Sequence, residues 1–135
     1  MKPYEFEQLV CDHYRQKGYR VQTTSASNDY GIDVFAEKKG EKIAVQVKMY
    51  GGSTRKVNRQ TMMELYGAAA YFDCTKAVLA TDGEVLTDAK EVAHKLGIDI
   101  LFIQPDRKIS MPSASSAEWL SLIHISEPTR LRRIS

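Results

Sequence analysis

The sequence predicts an α/β domain in which a mixed central sheet is flanked by helices, with its elements in the order αβββαβαβ. Three observations predict it. Apolar residues recur at helical spacing in three separated segments. Residues 31–50 alternate with period two on either side of a Lys39-Gly40 turn, as an antiparallel hairpin does. Two short runs, Ala77 to Ala80 and Ile98 to Ile103, are almost wholly apolar, which marks strands covered on both faces.

The elements follow in order. Phe6, Leu9, Val10 and Tyr14 form a helical stripe from Tyr4 to Lys17, and Gly18 stops it. Tyr19 to Thr24 reads as a strand, and Ser25-Ala26-Ser27-Asn28-Asp29 as a loop in which Asp29 shapes the turn. The hairpin strands run from Gly31 to Lys38 and from Lys42 to Tyr50, and Gly51-Gly52-Ser53 reads as loop. Asn58 caps a second helix reaching about Phe72, with Met62, Leu65, Ala69 and Phe72 on one stripe. Thr87 caps a third helix from Asp88 to Leu96, closed by Gly97. Cys11 and Cys74, both placed in helices, are too far apart in the chain for a metal-binding spacing and read as small core residues in a reducing, cytoplasmic setting.

The last residues stand apart. Leu120 to Arg130 read LSLIHISEPTR. This run resembles one reading frame of a transposase adapter used to build DNA sequencing libraries, with Leu131-Arg132-Arg133 as its index and Ile134-Ser135 as the bases after it. Residues 120–135 are therefore set aside as an assembly artefact. Residues 1–104 then form one domain, and 105–119, with the low-complexity stretch Pro112-Ser113-Ala114-Ser115-Ser116, a linker or a truncated continuation. The trimming matters for charge. The full chain carries 19 Lys+Arg against 17 Asp+Glu. Without Arg130, Arg132, Arg133 and Glu127 the balance is neutral, so net charge says nothing of a nucleic-acid partner. No apolar run approaches the roughly 18 residues of a membrane helix.

The hairpin carries the chemistry. With Lys39-Gly40 as its two-residue turn, Asp33 lies opposite Gln46 and Gly31 opposite Lys48. Alternation places Ile32, Val34, Ala36, Ile43, Val45 and Val47 on one face and Gly31, Asp33, Gln46 and Lys48 on the other. Strand geometry alone thus gathers a carboxylate, an amide and an ammonium beside a glycine. Strands are depleted in aspartate, so Asp33 is better explained by a site than by structure. The set suits metal-dependent cleavage of a phosphodiester. Asp33 would anchor magnesium, the Val47 backbone carbonyl would add an oxygen, Gln46 an uncharged one, and Lys48 would orient water and offset phosphate charge. His13 and His94 have no partner at metal-ligand spacing.

The αβββαβ order with Gly31-Ile32-Asp33 on the second strand and Gln46-Val47-Lys48 on the third resembles the Mrr-type restriction endonuclease catalytic domain, a branch of the PD-(D/E)xK nuclease superfamily. The branch carries QxK in place of (D/E)xK, as Gln46 does here. The resemblance covers residues 1 to about 104. The opening Tyr4-Glu5-Phe6-Glu7-Gln8-Leu9-Val10 is similar to the family's first helix, and Glu7 matches a glutamate that joins the site and the metal. The resemblance implies magnesium-dependent DNA cleavage, with manganese as a substitute, on a restriction or repair pathway. It also implies that a companion DNA-reading domain is missing, and leaves a homodimer open. The competing expectations are a junction-resolving or repair nuclease on the same fold and a non-catalytic nucleic-acid-binding module. Arg55, Lys56 and Arg59, interleaved with Tyr50 and Asn58, follow the QVK strand and are expected to contact phosphates without reading bases.

Overall fold

Asparagine, glycine and short apolar runs place the elements where the chain needs them. In the computed structural model, which describes residues 3–24 and 30–104 and the backbone of 109–110, helix α1 (Pro3–Arg15) precedes β1 (Arg20–Thr23), β2 (Val34–Lys38) and β3 (Glu41–Lys48). Then come β4 (Lys56–Val57), α2 (Arg59–Tyr71), β5 (Lys76–Thr81), β6 (Glu84–Val85), α3 (Thr87–Leu96), β7 (Asp99–Ile103) and β8 (Ile109–Ser110). Among the described residues the main sheet has six strands in the order β1-β2-β3-β5-β7-β8. β1, β2 and β3 pair antiparallel; β3, β5 and β7 pair parallel; β8 returns antiparallel on β7. The mixed sheet is the predicted one. The adapter-like residues 120–135 lie outside the described residues.

The hairpin register is the expected one, from Lys38 opposite Glu41 to Val34 opposite Val45. Its turn needs two residues at positive φ, and Lys39 (φ 32) and Gly40 (φ 78) supply them. Two apolar layers sandwich the sheet. On one side α1 lays Phe6, Val10, Cys11 and Tyr14 over Val34, Ala36, Ile43, Val45, Val78 and Ala80. On the other, Met62, Leu65, Ala68 and Ala69 of α2 and Ala89 and Ala93 of α3 cover Ala44, Ala77, Leu79 and Ile100. Each large aliphatic or aromatic side chain so buried contributes about 1.5–3 kcal/mol. β5 divides its side chains between both layers, as a doubly covered strand must.

Several expectations are corrected. The first hairpin strand starts at Val34, not Gly31. Ile32 packs in the α2–α3 layer rather than with Val34 and Ala36. The reason is local: Gly31 takes φ 82, and the Asp33 N–H reaches Val45 O (2.8 Å), one residue off the ladder register, so the pleat ends there. Leu86, not Thr87, is the residue preceding α3, and it caps with no side-chain bond. Cys74 lies past the end of α2, half-buried. Between the expected Gly51-Gly52-Ser53 loop and Asn58 lies an unforeseen β4, which pairs in parallel with β6 through Val57 and Val85, both buried. Asn58 caps α2 as expected, accepting the Thr61 N–H at 3.0 Å. Residues 109–110, within the stretch expected as a linker or a truncated continuation, contribute β8 to the sheet edge.

Candidate active site

The site lies at the carboxyl end of β3, beside that of β5, where ligands collect on sheets with parallel strands. Asp33 is fixed there by its own backbone and side chain. Its carbonyl accepts the Thr24 N–H (3.0 Å), while the Thr24 hydroxyl donates to Ile32 O (2.9 Å). Its carboxylate Oδ2 accepts the Val47 N–H at 2.7 Å. A charged acceptor on a backbone donor makes a strong bond, and it leaves most of the carboxylate's lone-pair sites available. Burial raises the Asp33 pKa above its ordinary value, while the Val47 N–H and the Lys48 ammonium act to lower it.

Gln46 is almost fully buried, at 7 % exposure. It faces Gly31 so closely that a Cβ there would stand 2.7 Å from Nε2. Glycine meets both demands, the positive φ and the close approach; a side chain there would be strained and would displace the Gln46 amide. Among the described residues, Gln46 Oε1 is buried with no hydrogen-bond partner. Glu7 comes from α1, on the far side of the sheet, and still reaches the site. Its pKa is raised, first by burial and then by the negative charge of Asp33. The structure thus couples Asp33 to Glu7 and to Lys48, and sets the Gln46 side chain against Gly31. Glu7 could not have been found from helical spacing, because it sits at the flank of the α1 stripe.

Two residues went unforeseen. Thr81, fully buried at the end of β5, donates its hydroxyl to Lys48 O at 2.8 Å. Asp82 accepts the N–H groups of Tyr50 (2.8 Å) and Gly51 (3.1 Å). Thr81-Asp82-Gly83 reads in the sequence as an ordinary turn; the signal was its place at the end of a fully apolar run, where a parallel strand opens onto a site.

The basic segment after β3 is partly engaged. Lys56 pairs with Glu84 (3.6 Å) and Arg59 with Asp88 (3.0 Å), both as exposed ion pairs that contribute little and exchange readily. The Arg55 guanidinium lies over the Tyr50 ring, 4.7 Å from its centroid. The Asn58 side-chain oxygen is taken by the helix cap.

The donors fit a hard cation. Among the described residues no three His, Cys, Asp or Glu side chains cluster, so a metal here would rest on two carboxylates, an amide and a carbonyl, all oxygen. The buried, unpartnered Gln46 Oε1 and the two carboxylates raised by burial are groups that a cation would satisfy.

Comparison places this geometry in a class. The fold is similar to that of the MspJI restriction endonuclease solved in complex with a 27-mer oligonucleotide (TM-score 0.52, 12% identity, 86% of this chain and 29% of that one). It is also similar to AF1548, a protein of unknown function (TM-score 0.57, 20% identity, 70% and 55%). Residues 1–108 match the restriction endonuclease family Mrr_cat, and the chain belongs to that family of nuclease catalytic domains. An uncharacterized protein, y4cE, of Sinorhizobium fredii is 34% identical over 64% of this chain and 25% of its own length. A UPF0102 protein of Aquifex aeolicus is 39% identical over 36% of this chain and 48% of its own. The chain therefore spans a quarter to a half of the curated relatives it matches.

Proposed function

We propose that this domain is a magnesium-dependent DNA endonuclease that hydrolyses phosphodiester bonds in the restriction of foreign DNA. The observation that carries the reading is the Asp33 carboxylate bonded to Val47 N at the end of the hairpin, with Lys48 and, from α1, Glu7 coupled to it. DNA as substrate is supported by the likeness to MspJI, whose structure holds an oligonucleotide. A cytoplasmic setting is supported by the free thiols of Cys11 and Cys74.

Asp33, Glu7, Gln46 Oε1 and the Val47 carbonyl would hold magnesium, or manganese in its place. When bound, the ion supplies a water of lowered pKa and neutralises charge on the phosphate. Lys48 orients the attacking water and meets the charge that builds on the phosphoryl oxygens. Asp33 keeps its place through the Val47 N–H, so the acid does not depend on a free rotamer. Arg55, Lys56 and Arg59 take phosphates on either side of the cut, Lys56 and Arg59 leaving their exposed carboxylate partners to do so. Tyr50 carries Arg55 on its ring, and Asn58 caps the α2 N-terminus, whose partial positive charge favours a phosphate. Supercoiled plasmid incubated with the protein and magnesium or manganese tests the reading. Nicking that disappears in Asp33→Asn supports it. An intact plasmid in both metals sinks it.

A further inference from the structure

We infer that Thr81, Asp82 and Gly83 act as a positioning device for the reaction, holding the Lys48 end of β3 and the Tyr50–Arg55 stack in one fixed relation along the path of the substrate's phosphates. The inference rests on the nuclease reading. Three consecutive residues each seize a different part of the segment that follows the QVK strand. The Thr81 hydroxyl, fully buried, donates to Lys48 O (2.8 Å) and accepts the Gly83 N–H (2.9 Å), so both its roles are used. The Asp82 carboxylate takes two successive backbone donors, Tyr50 N and Gly51 N. Gly83 lies against the Tyr50 side chain, where a Cβ would stand 3.0 Å from Cδ2 and 3.2 Å from Cβ of the tyrosine. Any side chain at 83 would push that ring.

What is held is chemically pointed. Lys48 and Arg55 are cations seven residues apart, separated by Gly51 and Gly52, which left alone would let them drift. Among the described residues Arg55 makes no salt bridge, unlike Lys56 and Arg59; its charge rests on the Tyr50 ring instead. An uncompensated guanidinium on a locked aromatic plate, a short chain length from Lys48, suits a phosphate next to the one being cut. A turn that only needed to reverse the chain would not need a carboxylate on two donors, a buried hydroxyl on the lysine's carbonyl and an absent Cβ under the tyrosine.

The test uses the full chain and duplex DNA, reading single-turnover cleavage, DNA affinity and melting temperature. Asp82→Ala is expected to slow cleavage by about 10- to 100-fold, the scale of a misplacement of about 1 Å. It should also weaken DNA binding several-fold. Asp82→Asn is expected to recover most of both, since its amide oxygen can still accept the Tyr50 and Gly51 N–H groups. The loss of affinity caused by Arg55→Ala should nearly vanish in the Asp82→Ala background, a coupling that a merely structural role would not produce. Wild-type cleavage and affinity in Asp82→Ala, or an Arg55→Ala loss of equal size in both backgrounds, overturns the inference alone. A wild-type protein that cuts no DNA sinks the nuclease reading and the inference together. Should Asp82→Ala fail to fold, Gly83→Ala is read instead: the displaced Tyr50 should cost several-fold in affinity, and unchanged affinity overturns the inference.

Discussion

Asp33 and Val47 meet across the open end of the β2–β3 ladder, where the Asp33 carboxylate accepts the Val47 N–H at 2.7 Å. A side chain here takes the place of the next rung of backbone bonding. The two halves of the GID and QVK motifs are therefore joined by one hydrogen bond. The acid's position follows from the break in the ladder just beyond Val34, where the Asp33 N–H turns to Val45 O and its carboxylate to Val47 N, between Gln46 and Lys48.

That contact separates structure from chemistry. Asp33→Asn keeps an acceptor for the Val47 N–H and should melt at or above the wild type while losing cleavage. Asp33→Ala leaves that donor without its partner, at a cost of about 1–3 kcal/mol, and should lose both stability and activity. Thermal melts and plasmid nicking on the two variants check this. An active Asp33→Asn would show that its charge is dispensable.

Lys48→Ala should slow the chemical step by about a hundredfold or more while weakening DNA binding far less, since its charge acts mainly on the transition state. Single-turnover rates beside equilibrium binding decide it. Equal losses in both would make Lys48 a simple phosphate contact.

The raised pKa values of Glu7 and Asp33 give the site a pH signature. A carboxyl raised in the folded state contributes stability that is fully present below its ordinary pKa and lost as pH rises through the raised value. Ionising either group in the folded state is a cost to the fold. Glu7→Gln should therefore melt higher than the wild type at pH 7, with the gap closing below the ordinary glutamate value of 4.5. Magnesium should raise the wild-type melting temperature at pH 7 and do so less in Glu7→Gln. A gap that stays constant from pH 7 to 4 would show that the Glu7 pKa is not raised by its burial and by Asp33.

Two glycines at similar φ form a controlled pair. Gly31→Ala meets both backbone strain and the Gln46 amide at 2.7 Å, so it should cost about 1–3 kcal/mol and impair activity through Gln46. Gly40→Ala meets strain but nothing within 4 Å, and should lower stability by about 1 kcal/mol with cleavage intact. Equal activity in the two variants would remove Gln46 from the site.

The hairpin was legible because its register is set by the Lys39-Gly40 turn and by strict alternation from Val34 to Val45. β5 and β7 were legible because continuous apolar runs of that length fit strands buried on both faces. The rest depended on facts a linear pattern does not hold. The reversal of Ile32 follows from the φ of Gly31. β4 and β6 are two residues each, too short for any period, and exist because Val57 and Val85 find each other 28 residues apart. Thr81 and Asp82 are common turn residues whose partners, at Lys48, Tyr50 and Gly51, are more than thirty residues away. Glu7 reached the site through family resemblance alone.

The pairing of Lys48 with Thr81 also sets an order of assembly. The β2–β3 hairpin is local and can close in microseconds. Its last residues wait for β5, which must travel in with α2 before Thr81 meets the Lys48 carbonyl. Asp33 and Gln46 can be brought together early, but the lysine between strand and loop is secured only when the centre of the sheet is complete. A chain halted on the ribosome before β5 emerges would hold the acid and not the placed cation.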